Sequence, residues 1–178
     1  MNMNGKENPM REIRLEKLVV NIGIGDKEDT YSGARALLEK LTGRSAVATT
    51  AKRREPELKI RKGQVIGAMV TLRGDDAYSL LKRALEANNN TVQENAIANN
   101  SLNFGISEYI YFSGVKYDPK IGMLGMNINA AFGRRGKRVE LRRRKASRVG
   151  VWHRNIPKEE LQGFIETRFG AKIMGKER

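Results

Sequence analysis

The sequence predicts one domain that mixes strands with helices, and three observations carry that expectation. Residues 65–73 alternate, with Ala68, Val70 and Leu72 set against Met69, Thr71 and Arg73, the period of a half-buried strand. Two other stretches space their apolar residues by three and four. These are Ala34, Leu37, Leu38 and Leu41, then Ala77, Leu80, Leu81, Ala84 and Leu85, each the stripe of a helix. The chain of 178 residues has no repeat and no linker-like stretch, so 1–178 reads as a single domain long enough to bury a core.

In chain order, residues 1–9 are polar and are expected to be mobile. Residues 13–23 form a strand with Leu18, Val20 and Ile22 on one face and Lys17, Val19 and Asn21 on the other. The NIGIG turn leads to the first helix, capped by Thr30 or Ser32 and ended by Gly43 in a left-handed conformation. Residues 46–51 make a short strand paired with 65–73 across a basic loop. Asp75 and Asp76 open the second helix, where carboxylates complement the dipole, and Asn88, Asn89 and Asn90 end it. Residues 91–100 read as loop. Strands are expected at 104–112 and 123–132, joined by GVKYDPKIG with its turn-forming Asp118-Pro119. Pro157, Glu159 and Glu160 start a final helix with Leu161, Phe164 and Ile165 on its stripe, which Gly170 terminates.

Charge narrows the partners. There are 34 Lys and Arg against 20 Asp and Glu, a formal charge of +14, which favours nucleic acid or an anionic surface. No apolar run is long enough to span a membrane and no signal-peptide core follows the start. With no cysteine and one histidine, neither a disulfide framework nor a His/Cys metal cluster is written in the chain. The reading is a soluble cytoplasmic protein with RNA ahead of lipid as partner, and with neither cofactor nor metal.

Two loops concentrate the cations. The first carries Lys52, Arg53, Arg54, Lys59, Arg61 and Lys62, stiffened by Pro56. The second, within 133–150, carries Arg134, Arg135, Lys137, Arg138, Arg142, Arg143, Arg144, Lys145 and Arg148 against the single acid Glu140. With so little apolar content it is expected to be a mobile arm that meets phosphates. A charge run is often only a solvated face, but these charges gather in two loops without balancing acids.

Enzyme signatures are thin. Gly23 and Gly25 follow a strand, but a lone GxG lacks the third glycine of a dinucleotide fingerprint; a tight turn explains it as well. Asp26, Glu28 and Asp29 beside a helix start read as dipole partners. His153 next to Trp152 has no carboxylate or nucleophile tied to it, which favours packing or RNA stacking over proton transfer. Tyr109, Tyr111 and Tyr117 read as core packing before base stacking. A nucleotide-dependent RNA-modifying enzyme is the runner-up function. If helices cover one side of the sheet, Asn21, Thr71 and Arg73 share the other, where Asn can read base edges, Thr can meet a 2′-hydroxyl and Arg can fork onto phosphate.

Three segments carry a family resemblance: NPMREIRLEKLVVNIGIGD, LTGRSAVATTAKRREPELKIRKGQVIGAMVTLRG and NFGISEYIYFSGVKYDPKIGMLGMNI. They resemble the L-five family of universal large-subunit ribosomal proteins, in its archaeal and eukaryotic branch. The resemblance implies an α+β fold with a twisted, largely antiparallel sheet, helices on one face and 5S ribosomal RNA on the other. It implies 5S contacts at Asn21, Gly23 and Gly25 of NIGIG, Arg44 of LTGR, and Thr71 and Arg73 of VTLRG. Many relatives carry Gln where Arg44 stands; Arg keeps donors but loses an acceptor. Further implied partners are large-subunit RNA, peptidyl-site tRNA touched by the loop 52–62, and a small-subunit head protein at an intersubunit bridge.

Overall fold

The computed structural model describes residues 8–25, 30–115, 117–119 and 121–175. Strand β1 (Ile13–Gly23) is followed by α1 (Tyr31–Thr42), β2 (Val47–Thr50), β3 (Val65–Leu72) and α2 (Asp75–Ala87). Then come β4 (Thr91–Gln93), β5 (Ile97–Ala98), β6 (Ser101–Ile106) and β7 (Met126–Arg134). Two single-turn helices, α3 (Arg138–Leu141) and α4 (Val151–Arg154), precede α5 (Lys158–Phe169) and β8 (Lys172–Met174). The main sheet has the order β2-β3-β1-β7-β6-β5, and each of its pairings is antiparallel. The fold is α+β.

The alternation in the strands decides the core. Leu18, Val20 and Ile22 of β1, Ala68, Val70 and Leu72 of β3, and Ile128, Ala130 and Phe132 of β7 are all buried. The stripes Ala34/Leu37/Leu38/Leu41 of α1, Ala77/Leu80/Leu81/Ala84/Leu85 of α2 and Leu161/Ile165 of α5 join them in one apolar cluster. Each buried Leu or Ile of this kind stabilises by about 1.5–3 kcal/mol relative to an exposed one. Gly43 caps α1 with φ +65° and its N–H on the Glu39 carbonyl at 2.8 Å. Thr30 sits at the N-cap of α1 without a side-chain capping bond.

Four local expectations differ from the fold. Residues 91–100, read as loop, contain β4, which pairs in parallel with β8, Thr91 against Lys172 and Val92 against Ile173. The expected strand 104–112 stops at Ile106; Tyr109–Tyr111 is a 3-10 turn. There Tyr109 is fully buried, and its hydroxyl accepts from the Asp118 N–H at 3.0 Å. The strand expected at 123–132 starts at Met126 and runs on to Arg134. Finally, Pro157 stands at the N-cap of α5, one residue before its first turn. The expectations for residues 1–7 and for Asp26, Glu28 and Asp29 lie outside the described residues.

Candidate nucleic-acid interface

Helices occupy one face of the sheet, and register fixes what lies on the other. Asn21 pairs with Met69 on one side and with Asn127 on the other, and Asn127 pairs with Gly105. The next row runs Thr71–Val19–Asn129–Asn103. Paired residues point to the same side of a sheet, so four asparagines and a threonine form one polar field. Thr71, Asn103, Asn127 and Asn129 are exposed and Asn21 is half-buried. Exposed Lys17 extends this face along β1, and exposed Arg73 lies just past the end of β3.

The field is neutral and amide-rich, with cations at its margins. Each Asn supplies two donors and an acceptor with two lone pairs, which suits base edges and ribose hydroxyls, whereas Lys and Arg suit phosphate. Glycine thins the far end of the face. A Cβ at Gly67 would lie 2.5 Å from the Ile22 carbonyl oxygen, so only glycine lets β3 approach β1 there. Gly67 pairs with Gly23, and Gly25 turns the chain away with φ +65°. Asn103, Asn127 and Asn129 were missed by sequence reasoning; the alternation of 126–132 held the signal, but nothing local says that β7 lies beside β1.

Of the residues expected at this site, Asn21 and Thr71 come together as diagonal neighbours, and Arg73 follows just past the end of β3. Gly23 is at the opposite end of β1. Arg44 stands apart, in the connection from α1 to β2, where its guanidinium is ion-paired with Asp76 at 2.7 Å. Both side chains are more than half exposed, so a partner must displace only a surface pair worth about 0–1 kcal/mol.

The loop 52–62 is a closed tongue. Glu55 and Ile60 exchange backbone hydrogen bonds of 3.0 and 3.1 Å, and the Lys59 N–H reaches the Pro56 carbonyl at 3.1 Å. Lys59 takes φ +56° to make that turn. At its root Ala51 and Gly63–Gln64 are joined by two bonds of 2.9 Å. Ile60 is buried, while Lys52, Arg53, Arg54, Lys59, Arg61 and Lys62 are all exposed. The backbone is tied and the charges are open. Leu58 at the tip is exposed as well.

The second basic segment departs from the mobile-arm expectation at its start. Arg134 is the last residue of β7, its side chain only 2% exposed, and is ion-paired to Glu160 of α5. Its other terminal nitrogen donates to the Trp152 carbonyl at 3.1 Å. Arg135 pairs with Glu12 at 2.6 Å and Lys137 with Glu16 at 2.7 Å. Glu16 is the extra residue of a bulge between Leu15 and Lys17, which re-aims its carboxylate across β7. A Cβ at Gly133 would collide with that carboxylate. The acids were out of sight because they come from the chain start and from α5. Arg134 is therefore a structural residue, and Arg135 and Lys137 are neutralised locally. Residues 141–148 are exposed, which leaves Arg142, Arg143, Arg144, Lys145 and Arg148 facing outward, with Arg138 exposed beside them.

His153 bonds the Arg135 carbonyl oxygen through its Nε2 at 2.8 Å, a packing role. No three His, Cys, Asp or Glu converge to hold a metal among the described residues. No helix among them is long and apolar enough to cross a membrane.

An antiparallel sheet with one amide-rich face left uncovered, flanked by basic loops, makes this an α+β protein whose open face has the chemistry that suits RNA. The comparisons with known proteins agree with that class. Residues 8–61 match the model of Ribosomal protein L5, and residues 65–159 match the model of the C-terminus of the same ribosomal family. The large ribosomal subunit protein uL5 of Picrophilus torridus is 43% identical over 175 residues, covering 97% of this chain and 99% of its own. Its counterpart from Nanoarchaeum equitans is 41% identical over 169 residues, covering 94% and 99%. That from Archaeoglobus fulgidus is 41% identical over 163 residues, covering 92% and 91%. The chain belongs to the L5 family of ribosomal proteins, in its archaeal type, and its role is structural rather than enzymatic.

Proposed function

We propose that this chain is a component of the large ribosomal subunit that holds 5S ribosomal RNA on the uncovered sheet face and reaches peptidyl-site tRNA with the tongue 52–62. The observation that carries the reading is the field of Asn21, Asn103, Asn127, Asn129 and Thr71 on a sheet whose other face is sealed by helices. Neutral donors and acceptors on a rigid sheet can follow the shape and edges of unpaired or looped RNA. Lys17 and Arg73 add phosphate contacts, Gly23 and Gly25 let an RNA backbone come close, and Arg44 serves once released from Asp76. The tongue has six exposed cations and no aromatic side chain, which suits a tRNA backbone that must arrive and leave. Large-subunit RNA and a small-subunit head protein complete the proposed partners.

Replacing Asn21, Thr71 or Asn129 by Ala should each weaken 5S binding by about 1–3 kcal/mol, the scale of a hydrogen bond to a buried or charged partner. Filter binding with purified 5S RNA measures it; unchanged affinity in the folded triple variant sinks the sheet-face reading. Changing Lys52, Arg53, Arg54, Arg61 and Lys62 to Ser should leave that affinity nearly intact while tRNA leaves the peptidyl site faster. Collapsed 5S binding with unaltered tRNA off-rates would assign the tongue to the 5S site instead.

A further inference from the structure

Trp152 is the one tryptophan of the chain, and its side chain is unused by the core and by the sheet-face site. It is 74% exposed on α4, although its backbone is firmly held. The Trp152 carbonyl accepts from buried Arg134, whose guanidinium is locked by Glu160. The neighbouring His153 ring is bonded to the Arg135 carbonyl and packs edge-on against the indole at a centroid distance of 5.7 Å. The indole Nε1 edge lies over Gly150, where a Cβ would come within 2.7 Å. A large ring is thus fixed from below and presented outward. An exposed indole forgoes the burial that makes tryptophan worth placing in a protein, so a partner outside the chain is the natural cover.

The surroundings choose the partner. Arg154 of α4 pairs with Glu140 of α3 at 3.2 Å, which closes the basic loop that runs from α3 to α4, and Trp152 follows that loop as the second residue of α4. That loop is shaped by its own backbone: Ser147 N–H bonds the Val139 carbonyl at 3.2 Å, and Arg142 Nε bonds the Lys145 carbonyl at 2.8 Å. Arg143, Arg144 and Arg148 of this loop are exposed. An exposed aromatic face that follows a loop of exposed guanidiniums fits a nucleotide, with the base stacked and its phosphates neutralised. A hydrophobic protein partner would have to desolvate those cations.

We propose that Trp152 is a stacking platform for an unpaired RNA base, with Arg143, Arg144 and Arg148 on the flanking phosphates. The proposal rests on the ribosomal RNA-binding reading but names a second site, separate from the sheet face. Because the chain has no other tryptophan, its intrinsic emission reports this position alone. Titrating the full-length chain with short single-stranded oligoadenylate should quench that emission saturably, whereas a blunt RNA duplex of equal charge should quench it far less. By anisotropy of a labelled oligonucleotide, Trp152→Ala should lower single-strand affinity roughly five- to a hundredfold, and Trp152→Phe should restore most of it. Quenching reports the indole alone, whereas filter binding of 5S RNA by Trp152→Ala reports the sheet face, so failure at one site is distinguishable from failure at the other. Absent quenching, equal quenching by duplex, or unchanged affinity in Trp152→Ala each overturns the proposal. Loss of Trp152→Ala from reconstituted large subunits with single-strand affinity intact would assign the ring to a neighbouring protein, and overturns it as well.

Discussion

The two basic segments look alike in the sequence and behave differently in the fold. In the tongue 52–62 the backbone closes on itself through Glu55 and Ile60, and every cation points into solvent. In 134–148 the first three cations are directed onto Glu160, Glu12 and Glu16, and only from Arg138 onward does the charge face outward. A count of Lys and Arg therefore measures charge, not available charge. A guanidinium that bridges β7, α4 and α5 serves the fold, and a carboxylate distant in sequence decides which guanidinium that is.

The largest effect that could break this contrast is at Arg134. Arg134→Ala removes the partner of Glu160 and the donor to the Trp152 carbonyl, and should cost roughly 2–4 kcal/mol. In a chain of this size that lowers the melting temperature by roughly 5–15 °C. Circular dichroism melts check it. A loss no greater than that of Arg143→Ala would return Arg134 to the solvent-facing class. For the same reason, excising 134–148 removes the end of β7 and is expected to unfold its surroundings, which makes point changes the right probe of the arm.

An intermediate effect separates outward from paired charges by salt dependence. Each phosphate neutralised contributes about 0.7–0.9 to the slope of log affinity against log salt. Replacing Arg142, Arg143, Arg144, Lys145 and Arg148 by Ser should flatten that slope for large-subunit RNA by several such increments. Replacing Arg135 and Lys137 should change it by less than one. Equal flattening by both sets would mean that Glu12 and Glu16 release their partners on binding.

The smallest effect concerns surface carboxylates, and its sign is fixed. Glu39 is held below the ordinary glutamate pKa chiefly by the Arg35 hydrogen bond, then by the Ala46 N–H; Glu94 is lowered by Lys158. A folded-state pKa below the unfolded one adds stability that is present above the ordinary glutamate value and lost as pH falls through the depressed one. Glu39→Gln should therefore melt slightly lower at neutral pH, with the gap closing on acidification. A gap that stays constant down to acid pH rules out this linkage.

Elements whose signal is local were legible in the chain before it folds. Period-two runs mark β1, β3 and the body of β7, stripes mark α1, α2 and α5, and Gly43 and Gly170 end helices where expected, both with left-handed φ. Asn21 and Thr71 could be read as a pair because β1 and β3 alternate cleanly. That Asn103, Asn127 and Asn129 join them emerged only on folding, since strand order is not written in any one strand. Folding also settled that β4 finds β8, that Tyr109 turns into the core instead of continuing a strand, and that Arg134 is buried while Arg143 is not. The physical reason is the same throughout: hydrophobic period and backbone sterics act over a few residues, whereas pairing, burial and ion-pair choice depend on groups that meet only when the chain is folded.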